Sequence, residues 1–167
     1  VKNNFLISYF SFLISVSVIY SSLLAIAQFL KQGSIGGIFY WLGERTFTSG
    51  TPGIAQTVWN GELLLRPYAT FPHPNVLAGF LVIGLLFILM KNRQMNTVVV
   101  ICPLVLGAIA LFLTFSHTAW VVFILGILML DLCRHCEPEG RGNLVLKFIG
   151  LSVFLLFIFY FLLSTFP

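Results

Sequence analysis

Long apolar blocks separated by short polar segments dominate this chain. Each block is continuously apolar rather than amphipathic, which is typical of helices surrounded by lipid or by other helices. Crossing a bilayer core about 30 Å thick takes about 20 apolar residues. We therefore predict an all-α, multi-pass transmembrane helical bundle of about five spans in a single domain, 1–167. The spans are expected at about 4–30, 74–90, 97–115, 118–133 and 147–166.

Composition supports this prediction and removes the main alternatives. Hydrophobic residues make up 59% of the chain and charged residues 8%, whereas about a quarter of a soluble domain is charged. That deficit excludes a soluble globular domain, a nucleic-acid binder and a disordered chain. The first block contains Ala25-Ile26-Ala27, which resembles a signal-peptidase site. The block is longer than the about 7–15 residues of a signal core, so we expect a retained span.

The distribution of basic residues predicts the orientation of the chain. With the N-terminus in the cytoplasm, six basic residues lie inside and three outside, which agrees with the positive-inside rule. The inner residues are Lys2, Lys91, Arg93, Arg134, Arg141 and Lys147, and the outer ones are Lys31, Arg45 and Arg66. The long loop 31–73 and the turn Ser116-His117-Thr118 then share the outer side.

The outer loop contains a turn signal. Asn60-Gly61 lies between two apolar runs, and this dipeptide favours a hairpin because both central residues of the turn need positive φ. We predict a small two-stranded element on the outer membrane surface, with a short interfacial helix anchored by Trp59 as the alternative. Phe39-Tyr40-Trp41 is typical of an interfacial aromatic anchor.

The segment that leads into the second span carries the densest candidate chemistry. Arg66 offers a planar fork for phosphate or carboxylate, His73 can donate, accept or exchange a proton, and Asn75 adds an amide at a helix start. One interpretation is a binding corner for the headgroup of an anionic lipid-linked substrate. The other is structural: Arg66 reaches phospholipid phosphates, and His73 and Asn75 cap the helix.

Other ionisable residues are weaker candidates. His117 lies in a turn between two spans, where a functional histidine and an interfacial one are equally expected. Cys133, His135 and Cys136 provide too few ligands for tetrahedral zinc, so we expect reduced thiols and no metal. Glu44 and Glu62 stand alone and are expected to be solvated. No cofactor is implied.

Two segments resemble the O-antigen ligase/polymerase superfamily of bacterial membrane proteins. The first, 65–81, reads LRPYATFPHPNVLAGFL and contains an Arg, a Thr-Phe and a Pro-Asn that opens a membrane helix. The second, 113–120, reads LTFSHTAW and is similar to the signature Leu-Thr-x-Ser-Arg-x-Ala-Trp. Two spans and a short basic loop separate them, and the resemblance covers roughly 62–130.

The resemblance implies a function. Members are metal-independent C-type glycosyltransferases of lipopolysaccharide and polysaccharide biosynthesis in the bacterial cytoplasmic (inner) membrane. They move a glycan from undecaprenyl diphosphate to an acceptor on the outer face, such as a lipid A core, a polysaccharide or a protein. By this resemblance, Arg66 and His117 would face the diphosphate, and His73 and Asn75 would shape the pocket. The partners would be lipid-linked glycan, a glycan acceptor and membrane lipids.

The sequence departs from the superfamily pattern at two points, and these departures suggest an alternative function. His117 stands where the family has Arg, and the family's outer loop with its candidate catalytic histidine follows the region matched here. We therefore expect a fragment or truncated relative whose catalytic residues are unknown. The alternative is a non-catalytic membrane protein that binds lipid-linked glycan or a membrane partner. A small transporter ranks last, because ionisable residues are almost absent from the middle of the predicted spans.

Overall fold

The computed structural model describes residues 2–91 and 97–135, and this part of the chain is mostly helical. In order, the elements are α1 (Lys2–Lys31), α2 (Ile38–Trp41), β1 (Gln56–Trp59), β2 (Glu62–Leu65), α3 (Pro74–Lys91), α4 (Thr97–Leu113) and α5 (His117–His135). The helical architecture and the small hairpin confirm those parts of the prediction. The expected span 147–166 lies outside the described residues. Two compact units are present, Val1–Ser116 and His117–Pro167.

Among the described helices, α1 alone is both long and apolar enough to cross a membrane. Its qualifying stretch, Tyr9–Lys31, has 23 residues, or about 34 Å at 1.5 Å per residue. The other apolar helical stretches are shorter and comprise Pro74–Met90, Val99–Leu113 and His117–Leu132. A multi-pass bundle therefore stays a prediction.

The first unit is built on three helices, α1, α3 and α4, each of which packs against the other two. The buried positions of α1 carry mostly small or polar side chains and one large apolar side chain, Leu24. The small or polar ones are Ser11, Ser15, Val18, Ser21, Ser22, Ala25 and Gln28. Its exposed face carries large apolar ones, including Phe12, Leu13, Val16, Leu23 and Leu30. This polarity is the reverse of the one expected for a surface helix in water.

Two glycines bring the three helices together. A Cβ on Gly84 of α3 would lie 2.6 Å from a Val18 methyl carbon of α1. A Cβ on Gly107 of α4 would lie 2.7 Å from a Leu85 methyl carbon and 3.2 Å from the other Val18 methyl carbon. Because no side chain fits at either position, the helix backbones approach more closely than larger residues would allow.

The hairpin turns where the sequence predicts. Asn60 and Gly61 adopt φ values of 52° and 85°, and Trp59 pairs with Glu62 across the turn. Positive φ at both central residues matches the tight hairpin turn that follows the natural strand twist. The Trp59 ring then contacts the Phe115 ring at a centroid distance of 5.7 Å, which joins the hairpin to the end of α4.

Helix α4 ends earlier than the apolar pattern suggested. We expected the third span to reach residue 115, but the helix stops at Leu113 and Phe115 adopts a left-handed φ of 49°. The Thr114 hydroxyl donates to the Leu111 carbonyl at 2.7 Å. Hydropathy does not mark this end, because Phe115 is as apolar as the helix before it and packs against Phe29 of α1.

Candidate functional site

Arg66 is the centre of the candidate site. It directly follows β2, and its backbone N–H donates to the Ala55 carbonyl at 3.1 Å, which extends the hairpin pairing by one residue. Its Nε donates to the Thr114 carbonyl oxygen at 2.6 Å, and one Nη donates to Asn75 Oδ1 at 2.6 Å. The half-buried guanidinium thus links loop 31–73 to the end of α4 and the start of α3.

The positive charge of Arg66 is not neutralised by its partners. Both acceptors are neutral amide oxygens, and within residues 2–91 and 97–135 no carboxylate pairs with this side chain. Burial lowers the pKa of the Arg66 guanidinium from its usual value, but an arginine in a protein stays charged. The site therefore presents a fixed cation with guanidinium N–H groups to spare.

His73 immediately precedes α3 and caps it. Its Nδ1 accepts the backbone N–H of Asn75 at 3.2 Å, a bond that the first turn of a helix cannot make internally. An acceptor Nδ1 places the ring proton on Nε2. Burial, followed by the nearby Arg66 charge, lowers the pKa of His73. Both the bond and the pKa direction favour a neutral ring that donates from Nε2.

Asn75 does not cap the helix with its side chain, in contrast to the structural interpretation of the sequence. Its side-chain oxygen is used by Arg66 instead, while its backbone N–H is the group that His73 caps. The structural interpretation therefore holds for His73, which holds the start of α3 in place, while the start of α3 orients Arg66 through Asn75. The functional interpretation of this segment stays a prediction.

Segments 65–81 and 113–120 meet at Arg66. Arg66 belongs to the first, and Thr114, whose carbonyl it binds, belongs to the second. The bond is to the backbone, so no sequence signal identified Thr114 as a contact. His117 opens α5 in the second unit, exposed, with its ring 5.1 Å from the Trp120 ring. A joint role of His117 and Arg66 stays a prediction.

Gln28, which the sequence analysis missed, positions the segment that follows Arg66. This buried side chain near the end of α1 accepts the backbone N–H groups of Tyr68 (3.1 Å) and Ala69 (2.7 Å). It also donates to the Ala69 carbonyl at 3.2 Å. These bonds hold Ala69 at a left-handed φ of 50°. A lone amide inside an apolar block was the signal that could have identified it.

Glu44 is buried, not solvated as its sequence context suggested. It is only 4% exposed, and its carboxylate accepts the backbone N–H groups of Ile35 (2.6 Å) and Gly36 (2.8 Å). The Gln28 amide donates to it at 2.9 Å. Three donors compensate for burying the charge. Glu44 therefore has a structural role, because its carboxylate stabilises the loop around α2.

Metal ligands do not cluster in the described part of the chain, where no three His, Cys, Asp or Glu side chains could hold an ion together. Comparisons with protein-family models, curated proteins and solved structures find no match to this chain. A functional interpretation therefore depends on the geometry around Arg66 and on the two motifs that meet there.

Proposed function

We propose that this chain is a multi-pass membrane protein of the bacterial inner membrane. The support comes from α1, where serines are buried against other helices while phenylalanines and leucines are exposed. In water this arrangement would be unfavourable, because the large apolar side chains would stay exposed to solvent and their burial would contribute nothing to stability. In lipid it is favourable, because small and polar side chains pack helices together while large apolar ones face acyl chains.

We further propose that Arg66 binds the diphosphate of a lipid-linked glycan, as part of an O-antigen ligase-like glycosyltransferase that uses undecaprenyl diphosphate donors on the outer face. The observation that carries this proposal is a half-buried guanidinium bound only by neutral oxygens among the described residues. A desolvated, unneutralised Arg stabilises an anion strongly.

The geometry supports a distinct role for each site residue in this proposal. Arg66 uses Nε and one Nη to hold its position, and its remaining N–H groups are available for phosphate oxygens. His73 adds a neutral donor at Nε2 near the same place. In glycan transfer, these groups would stabilise the charge that develops on the departing diphosphate. Asn75 and Gln28 act indirectly, by orienting Arg66 and the segment after it.

The tautomer of His73 favours a second candidate function. A histidine that donates from Nε2 and accepts at Nδ1 is not poised to take a proton from an acceptor hydroxyl. The described site thus supports binding of the donor lipid more directly than catalysis. The second candidate is a non-catalytic protein that binds lipid-linked glycan. Transfer of glycan from undecaprenyl diphosphate by the purified chain would exclude it.

The sharpest test of diphosphate binding is Asn75→Asp. The new carboxylate still offers an acceptor oxygen to Arg66, but its negative charge neutralises the positive charge of the Arg66 guanidinium. Since a hydrogen bond to a charged group contributes about 1.5–3 kcal/mol, we expect the affinity for undecaprenyl diphosphate to fall about tenfold to a hundredfold. The measurement is equilibrium binding of the radiolabelled lipid to the purified full chain in nanodiscs, together with its thermal unfolding temperature.

The matched control is Asn60→Asp, which makes the same chemical change in the exposed hairpin turn, where Asp is tolerated. This variant should bind the lipid as the unmodified chain does. If Asn75→Asp bound equally well while remaining folded, Arg66 would not be the diphosphate site.

A further inference from the structure

A small cavity lies in the outer loop beside the Arg66 site. Its volume is about 140 Å³. It is lined by the segment between α2 and β1 and by the segment that leads from β2 into α3. Six side chains give it its chemical character, namely Arg45, Thr46, Phe47, Thr51, Tyr68 and Pro72. All belong to the first compact unit.

Hydroxyl and guanidinium groups on an apolar base define the chemistry of the cavity. Phe47 and Tyr68 are buried and pack against each other with ring centroids 5.0 Å apart. The Tyr68 hydroxyl accepts the Ala55 backbone N–H at 2.7 Å, and within the described residues its own proton has no acceptor. Thr51 Oγ1 accepts the Thr48 backbone N–H at 3.0 Å and pairs with the Thr48 hydroxyl at 3.3 Å, so its bonding is satisfied within the loop.

Arg45 adds a cation at the edge of the cavity. One of its Nη atoms donates to the Pro72 carbonyl oxygen at 3.2 Å, and the side chain is otherwise exposed. In the part of the chain that the structure describes, no carboxylate pairs with it. The neighbouring Thr46 hydroxyl is likewise without a partner there. The cavity therefore offers several donors that the protein itself does not use.

The cavity and the proposed diphosphate site share a boundary. Tyr68 lines the cavity, and its ring lies edge-on to the His73 ring at a centroid distance of 6.2 Å. Pro72, which also lines it, directly precedes His73. His73, which the proposed function places beside the diphosphate, therefore adjoins the cavity.

We propose that this cavity binds the sugar ring attached to the diphosphate. The proposal rests on the proposed function of Arg66 and adds a recognition site to it. Donors at the rim match the hydroxyl, acetamido and carboxylate oxygens of a sugar, while its apolar base matches the C–H face of the ring. The volume is below the about 300–1,000 Å³ of pockets for drug-sized ligands, so the proposal is restricted to one sugar ring and does not extend to an oligosaccharide.

The test compares two lipids on the same purified chain in nanodiscs. One is undecaprenyl diphosphate, and the other is undecaprenyl diphosphate bearing a single N-acetylglucosamine. Two hydrogen bonds of about 0.5–1.5 kcal/mol each should make the sugar-bearing lipid bind about tenfold tighter. Arg45→Ala and Thr46→Val should bring this ratio close to one, while the affinity for the bare lipid stays unchanged.

Two controls match the variants. Thr57→Val makes the same change as Thr46→Val on β1, away from the cavity lining, and Lys31→Ala removes an exposed outer cation. Both should keep the preference for the sugar-bearing lipid. Equal binding of the two lipids by the unmodified chain would overturn the sugar site and leave diphosphate binding standing. If neither lipid bound, both proposals would fall.

Discussion

At the scale of single residues, His73 shows how one side chain caps a helix and also borders the proposed binding site. Its Nδ1 satisfies a backbone donor at the start of α3, and this bond directs the ring proton to Nε2. A protonated His73 would lose the cap, because both nitrogens would then be donors. Burial and the Arg66 charge act in the same direction and lower the pKa of His73.

The linkage between this pKa and folding predicts a pH dependence. Because the pKa of His73 is lower in the folded chain than in the unfolded one, its neutral ring stabilises the fold fully above the unfolded value of about 6.5. That stabilisation is lost as the pH falls below this value toward the folded pKa. Between about pH 7.5 and pH 5.5, the unfolding temperature of the chain should therefore fall more than that of His73→Gln.

The measurement is thermal unfolding of both proteins in the same detergent at the two pH values. His73→Gln removes the titrating ring, while the carboxylates and the remaining histidines are the same in the two proteins. Equal shifts in unfolding temperature would show that His73 does not titrate in this way.

The residues that sequence analysis missed share a physical property. Gln28, Glu44 and Thr114 matter through bonds in which one partner is a backbone group. The Gln28 side chain binds backbone groups 40 and 41 residues away, and the Thr114 carbonyl accepts from the Arg66 side chain 48 residues away. The Glu44 carboxylate binds backbone N–H groups 8 and 9 residues away. Such bonds need only an amide, a carboxylate or any carbonyl at the right place. No residue pattern specifies them, whereas Arg66, His73 and Asn75 were found because they cluster within ten residues.

At the scale of the elements, glycine allows the close contact between α1 and α3. Gly84 of α3 faces Val18 of α1 so closely that a Cβ would lie 2.6 Å from a valine methyl carbon. Val18 has little rotamer freedom in a helix. Any larger residue at position 84 must therefore push α1 and α3 apart.

A double-mutant cycle tests this contact. Gly84→Ala should destabilise the chain by about 1–3 kcal/mol, the usual cost of overpacking. Combining it with Val18→Ala should cost less than the sum of the single changes, because the clash is then relieved. Unfolding free energies in detergent provide the measurement, and Gly50→Ala, in open space, is the control. Strict additivity would contradict the contact.

Element ends were predicted with uneven success for a physical reason. The hairpin was placed correctly because Asn60-Gly61 needs a turn with positive φ at both positions, which is a local requirement. The start of α3 was marked by Pro74, which is also a local signal. The end of α4 was missed because Phe115 leaves the helix to pack against Phe29 and Trp59, and those partners are distant in sequence.

At the scale of the whole molecule, the proposed orientation places the Arg66 site on the outer face. The positive-inside distribution puts loop 31–73 outside and the end of α5 inside. This orientation makes Arg66, His73 and the cavity beside them accessible to lipid-linked donors there.

Cysteine labelling tests the orientation. In a chain without other cysteines, Gly50→Cys should react with a membrane-impermeant maleimide in intact spheroplasts. A chain that keeps only its native Cys133 should react after permeabilisation alone, since three further crossings separate the two positions in the proposed topology. Labelling of both positions from the same side would contradict the proposed spans.

The sequence by itself determined the helical character, the hairpin and the cluster of Arg66, His73 and Asn75. Each depends on local physics: apolar continuity, backbone conformation at a turn, or proximity along the chain. Only the tertiary structure decided that Arg66 is bound by neutral oxygens from α3 and the end of α4, that Glu44 is buried, and that a cavity adjoins His73. Those properties depend on which distant segments come together, and packing alone determines that.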